Sequence, residues 1–184
     1  MNRKIATLLF CTFLLPIGHA VANTDTTPPV YEHSPNGKMI MGEKEWVRVD
    51  ELGVVAMARV DTGATTSSIS AIDIESFERD GDKWVKFRLA HNEGQSALIE
   101  KAVERTVRII QSSSEGYERR YVVNLPITIG DTTMDTEFTL RDRNHLNFPV
   151  LLGRTYLKHT ALVDVSRKYV QPKPETKPET AVNQ

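Results

Sequence analysis

The residues most able to do chemistry lie in one short run, Arg59-Val60-Asp61-Thr62-Gly63-Ala64-Thr65-Thr66-Ser67-Ser68. An apolar strand leads into a carboxylate, a small hydroxyl and a glycine. That order lets Asp61 leave a sheet at a tight turn with its carboxylate toward a cleft. Gly63 lets backbone pass close to a neighbour or a substrate. Thr62 can hydrogen-bond within the turn or across to a second copy of the chain. Ala64 is small enough to leave the cleft open. A bland alternative stands beside this one: the same tripeptide makes an Asx-type turn at a strand end, with Asp61 accepting backbone N–H groups.

A second segment, Phe148-Pro149-Val150-Leu151-Leu152-Gly153-Arg154-Thr155-Tyr156-Leu157, joins an apolar strand to Gly-Arg and a short helical stretch. Alone it is a buried strand and a helix start. Following Asp61-Thr62-Gly63 in the chain, it resembles the apolar-apolar-Gly-Arg-x-x-Leu segment near the end of retroviral-type aspartic proteases. There the strand lies behind the catalytic loop and packs on it. Ile40 to Val47 before the loop, Leu140-Arg141-Asp142-Arg143 after it, and Leu162-Val163-Asp164-Val165-Ser166 extend the likeness over Met39 to Tyr169. Together they resemble the retropepsin-like family often labelled "ATP-dependent zinc protease", of the RimK-associated type. Ser70 is a departure, standing where many members carry a histidine.

The resemblance implies a mostly β fold, a small closed acid-protease (retropepsin-like) barrel with one or two short helices. It implies Asp61, Thr62 and Gly63 as the catalytic tripeptide, with Ala64 beside the substrate. A flap hairpin over the cleft would bring in Ser114 and Gly116, within Ser112–Gly116; His91-Asn92-Glu93-Gly94 is the competing tip. An aspartic mechanism needs two carboxylates about 3 Å apart that share one proton. The ionised one takes a proton from water and the protonated one polarises the peptide carbonyl. One Asp-Thr-Gly per chain therefore implies a homodimer with two-fold symmetry. Asp164 lacks a following Thr-Gly and reads as a strand residue paired with arginine or capping a turn; Asp131-Thr132 reads as a turn after Gly130.

The family label itself finds no support in the residues. Hydrolytic zinc needs about three protein ligands and an open position, and His33, His91, His145 and His159 are scattered. A phosphate-cradling Gly-rich loop with lysine is missing as well. The reading therefore carries no cofactor and no metal. Arg105, Arg119, Arg120, Arg141, Arg143 and Arg154 are numerous near the candidate elements and could meet an acidic group, although solvated or ion-paired roles are the ordinary ones.

The elements that must position these residues read as strands. Trp46–Val49, Val54–Val60, Trp84–Leu89, Thr106–Ile110, Tyr121–Ile129, Thr136–Leu140 and Ala161–Val165 carry alternating or continuous apolar patterns between Gly-bearing turns. Within Trp84–Leu89, the residues Val85, Phe87 and Leu89 should face inward. Ser70–Phe77 and Arg154–Lys158 are the two helix candidates. Many short strands with such turns point to a small barrel or sandwich.

The chain has 184 residues, of which 40% are hydrophobic and 26% charged, with a formal net charge of −1. That is a globular composition with no electrostatic bias toward nucleic acid. Residues 1–22 read as a signal peptide: Arg3 and Lys4, an apolar run from Ile5 to Leu15, then Ala20-Val21-Ala22 before Asn23; an uncleaved anchor is the alternative. Cleavage would take the charge from −1 to −3 and remove Cys11, the one cysteine. The chain after cleavage would then hold neither disulfide nor thiolate.

Residues 23–38 read as a flexible lead-in, 39–170 as the domain, and 171–184, with Lys-Pro-Glu-Thr twice in succession, as a solvated tail. The expected protein is a periplasmic aspartic endopeptidase, with secretion as the alternative, acting on proteins or peptides, without nucleic acid and without stable membrane insertion after cleavage. A non-catalytic peptide-binding module on the same fold, or an envelope enzyme acting on a non-standard amide, are the alternatives.

Overall fold

The computed structural model describes residues 29–91, 94–110 and 117–176. Nine of its eleven strands belong to one sheet system, and six of those close on themselves. The closed set is β2 (Lys44–Val49), β3 (Val54–Val60), β4 (Ser67–Arg79), β8 (Tyr117–Ile129), β9 (Thr132–Arg141) and β10 (Val150–Leu152). Around the barrel the order is β10-β3-β2-β8-β9-β4, and β10 returns to β4. Closure removes the unpaired edges of an open sheet.

Alternation sets the inside. On β2, Glu45, Val47 and Val49 are buried, and Ala58 and Val60 meet them from β3. Phe138, Leu140, Leu125, Ile127, Ile69 and Leu152 complete this core. Burying side chains of this size contributes about 1.5–3 kcal/mol each. Gly53, at φ +63, makes the turn between β2 and β3, where a side chain would be strained.

The strand β4 outlasts the barrel. Its first half pairs in parallel with β9, and its second half pairs antiparallel with β5 (Asp82–His91), which pairs in turn with β6 (Gly94–Ala102). On β5, Val85, Phe87 and Leu89 point inward as the alternation predicts. The strand β7 (Arg105–Ile110) forms a hairpin with β8. The ends of the domain meet in a small parallel pair, β1 (Met39–Met41) with β11 (Ala161–Val163). Helix α1 (Arg154–Thr160) follows β10 directly and buries Tyr156 and Leu157.

Two sequence expectations need correcting. Ser70–Phe77 is strand, not helix. The pairing of β4 with β5 slips between Ile72 and Glu75, where Asp73 takes φ +52. A bulge puts one extra residue on one strand and breaks the period of two, which leaves Ile74 and Phe77 three positions apart, a helix-like spacing. The single helix among the described residues is therefore the one after Gly153. Asp164 lies beyond the end of β11: its Oδ1 accepts bonds from the Ser166 backbone N–H and hydroxyl, so it caps a turn. Those bonds hold its carboxyl below the usual range.

Candidate active site

Asp61 stands immediately after β3. Its backbone N–H donates to the Leu152 carbonyl at 2.9 Å, and the preceding Val60 N–H donates to Glu43 at 3.0 Å. Strand β10 runs parallel to β3 and antiparallel to β4, opposite Val60 through Leu152 and opposite Ser68 through Leu151. Three residues of β10 thus join the strand entering the loop to the strand leaving it.

The carboxylate is half-buried and asymmetric. Its Oδ1 accepts the backbone N–H of Gly63 at 2.9 Å and of Ala64 at 3.0 Å. Among the described residues, Oδ2 accepts no hydrogen bond. The Asx turn and the candidate catalytic loop are therefore the same object: one oxygen is fixed by the turn, and the other carries no hydrogen bond among the described residues. A side chain at Gly63 would put its first carbon 3.2 Å from Oδ1, tighter than ordinary contact. Thr62 and Gly63 are exposed, and Ala64 is half-buried.

Gly153-Arg154 clamps this loop from behind. The backbone N–H groups of Arg154 and Thr155 donate to Ala64 (2.9 Å) and Thr65 (3.0 Å) carbonyls. The Arg154 guanidinium donates to the carbonyl oxygens of Thr62 and Gly63 and, at 2.9 Å, to the Thr65 hydroxyl. A planar fork of fixed donors suits three acceptors on one turn. Gly153 gives its N–H to Ser67 Oγ at 3.1 Å, and a side chain there would lie 2.7 Å from the Thr66 carbonyl carbon.

The floor beneath the loop is polar and sealed. Ser67, Ser68 and Ser70 on β4 are all buried. Ser68 Oγ donates to the Thr139 carbonyl, and Thr139 Oγ1 donates to the Ser67 carbonyl. Ser70 Oγ accepts the Arg143 backbone N–H at 3.1 Å.

Three of the arginines read from the sequence gather here. Arg143 is only 7% exposed, and its Nε donates to the Phe148 carbonyl at 3.1 Å. Burial pushes its guanidinium below its ordinary range, Arg141 and Arg120 push it further, and Asp61 pulls it back. Arg120 is paired with Glu118, and its buried Nε has no partner. The others serve elsewhere: Arg105 pairs with Glu137, Arg119 is exposed, and Arg154 holds the loop.

The flap residues Ser114 and Gly116 lie outside the described residues, as do Asn92 and Glu93 of the competing tip. The pairing of β7 with β8 extends as far as Ile110 opposite Tyr117. A cavity of about 350 Å³ lies between β2–β3 and the β5–β6 hairpin, lined by Trp46, Val55, Met57, Leu89 and Val150. No residue of Asp61–Ala64 lines it. Among the described residues, no three His, Cys, Asp or Glu side chains gather as metal ligands, and no helix is long and apolar enough to cross a membrane. His33 sits 3.4 Å from Asp131, and His91 contacts the Leu146 carbonyl.

Comparison with known proteins agrees with this geometry. The family model described as "Retropepsin-like aspartic endopeptidase RimB" matches residues 40–174. Curated relatives include proteins named "Probable alpha-L-glutamate ligase" from Shewanella pealeana (38% identical over 137 residues) and Desulfotalea psychrophila (37% over 130 residues). The matches cover 73% and 69% of this chain but only 30% and 28% of those proteins, so the chain spans under a third of their length. A solved Legionella pneumophila protein of unknown function superposes with a TM-score of 0.62 at 26% identity, over 71% of this chain and 95% of that one. The closed barrel, the Asp61 loop clamped by Gly153-Arg154 and the family match over 40–174 place this chain in the RimB-like family of retropepsin-like aspartic endopeptidases.

Proposed function

We propose that the protein is an exported aspartic endopeptidase, in which the Asp61 carboxylates of two copies share one proton and activate the water that attacks a peptide carbonyl. The observation that carries this reading is the asymmetry of Asp61, with Oδ1 bound by two N–H groups and Oδ2 unbonded among the described residues. Asp61-Thr62-Gly63 occurs once in the chain. A dimer supplies the second carboxylate, and Ser114 and Gly116 cover the bound peptide as parts of a flap. The basic-apolar leader with Ala20-Val21-Ala22 supports export to the periplasm.

The substrate we propose is a peptide bearing acidic side chains. The curated relatives carry a name for joining glutamate, and this chain resembles a segment of them. Arg120, Arg141 and Arg143 offer cationic charge on the Asp61 side. Ligase activity is not part of this proposal, because the shared segment is under a third of those proteins.

A non-catalytic binding module is the second reading, favoured by the single carboxylate per chain and its Asx-turn geometry. The two separate when full-length protein and Asp61→Asn are assayed on an unfolded protein and on a glutamate-rich peptide from acid to neutral pH, alongside sedimentation. Hydrolysis by a dimer that disappears with Asp61→Asn supports the peptidase. Peptide binding by a monomer without hydrolysis supports the module.

A further inference from the structure

The cavity of about 350 Å³ between β2–β3 and the β5–β6 hairpin takes no part in the Asp61 loop. Two ladder slips shape the wall that the hairpin gives it. One lies between Ile72 and Glu75 in the pairing of β4 with β5, the other between Arg88 and Ala90 in the pairing of β5 with β6. Such irregularities bend a strand and re-aim its side chains. At the second slip the Leu89 N–H donates to Ser96 Oγ at 2.9 Å, and that hydroxyl donates to the Ala97 carbonyl at 2.7 Å. His91 Nε2 contacts the Leu146 carbonyl at 3.1 Å, which ties the end of β5 to the β9–β10 connection. These bonds fix the shape of the hairpin beside the barrel.

The lining is divided by chemistry. Trp46, Val55, Met57 and Val150 from the barrel and Leu89 from β5 make an apolar wall. The polar lining residues are Ser70, His91, Gln95 and Ser96. They gather on the side of the β9–β10 connection: the Ser70 N–H donates to Pro149, His91 meets Leu146, and Gln95 pairs with Ala90 beside it. Ser70 is 1% exposed, and its Oγ already accepts the Arg143 N–H, so what it offers a ligand is its O–H donor. No Asp, Glu, Lys or Arg is among the described residues that line the cavity. A charged ligand would lose its water there without gaining a counter-charge.

We infer that this cavity binds an uncharged amphiphile with an aliphatic body of about ten carbons, because a water-sized group takes about 30 Å³. The oxygen at its head accepts from Ser70. An apolar wall with a few convergent polar groups is the usual make-up of a small-molecule site. The site is separate from Asp61 and does not depend on the peptidase reading.

Trp46 borders the cavity, and Trp84→Phe leaves it as the one tryptophan of the chain. The test is a fluorescence titration of full-length Trp84→Phe with decan-1-ol, set against decanoate and decylammonium, which carry the same body with a charge. Decan-1-ol should change Trp46 emission saturably and bind about tenfold or more tighter than either charged probe. Val55→Phe fills the space and should abolish the change, and Ser70→Ala should weaken binding about fivefold. Carbon-13 methyl signals of Val55, Met57 and Val150 should move as decan-1-ol is added to the wild type, while that of the exposed Val165 stays. These signals decide the matter if a variant does not fold. A titration that never saturates overturns the inference, as does equal affinity for all three probes, which would mean adsorption to any apolar surface. Binding that survives both Val55→Phe and Ser70→Ala unchanged overturns it too, by placing the ligand elsewhere.

Discussion

Arg154 and Thr65 are 89 positions apart in the chain, yet Nη2 of the first donates to Oγ1 of the second across 2.9 Å. The same guanidinium also holds the carbonyls of Thr62 and Gly63. Arg154→Lys keeps the charge but cannot reproduce the fork. Hydrogen bonds from charged donors contribute about 1.5–3 kcal/mol each when well sheltered, and Arg154 is exposed, so a stability loss of about 1–2 kcal/mol is expected. Hydrolysis should fall further, by about tenfold or more, because the loop bearing Asp61 loosens. Thermal unfolding and kcat/KM measured together check this; equal and small changes in both would count against the clamp.

Gly153→Ala should be worse tolerated than its size suggests. The added carbon meets the Thr66 carbonyl carbon at 2.7 Å and its oxygen at 2.8 Å, both backbone atoms that cannot rotate away. Overpacking of this kind costs about 1–3 kcal/mol. Gly37→Ala is the control: nothing lies within 4 Å, and only its φ of +79 opposes the change, at about 1 kcal/mol. Denaturant midpoints that rank the two variants the other way round would refute the close approach.

Glu45 should be a stability determinant despite its place in a barrel wall. It is fully buried, and its carboxylate accepts the N–H groups of Gly42 (2.7 Å), Val170 (3.0 Å) and Gln171 (3.2 Å). Glu45→Ala leaves three donors unpaired, for a loss of about 3 kcal/mol. Burial raises the Glu45 carboxyl above 4.5 against the pull of those N–H groups. A raised carboxyl takes up a proton on folding, so its contribution is full below 4.5 and declines as pH rises through the folded value. The gap between wild type and Glu45→Ala should therefore widen toward acid. A gap that narrows in urea titrations run from neutral to acid pH would contradict the burial argument.

Removing everything after Lys168 should cost about as much as Glu45→Ala, and the two losses should not add. The segment contributes Val170 and Gln171 to Glu45, and Tyr169 stacks on Trp46 with ring centres 5.3 Å apart. Residues that share partners couple. Purely additive losses in a double-mutant cycle would show that the two act separately.

The β fold was legible in the sequence because of its strand patterns: Val54–Val60 in the barrel alternates in part, and Val85, Phe87 and Leu89 on β5 alternate cleanly inward. Ser70–Phe77 misled because the bulge at Asp73 resets the period inside one strand. Gly94–Ala102 gave no signal: it is the last strand of its sheet, and its Gln95, Glu100 and Lys101 mix with apolar residues on a half-exposed surface. In the site, Asp61 and Gly153-Arg154 stand out in the sequence only through their order taken together with the resemblance to retroviral-type aspartic proteases. Arg143 could not, because nothing in Arg141-Asp142-Arg143 says which arginine is buried. Gln171 reads as the first residue of a polar tail but is buried, its amide donating to the carbonyls of Glu32 and Ile40. The folded lead-in supplies one of those acceptors and β1 the other.

Those two bonds of Gln171, both 2.8 Å, and the parallel pairing of Met39–Met41 with Ala161–Val163 seat the first and last parts of the domain against each other. The pairing has a consequence in time. The first strand gains its parallel strand partner only after Ala161–Val163 has been synthesised, so the domain cannot finish folding before that late segment is free to pair. It has a consequence in architecture too. A unit that begins and ends at one spot can be joined into a longer polypeptide with little disturbance to its interior, which suits a fold whose likeness recurs as under a third of the proteins named as glutamate ligases.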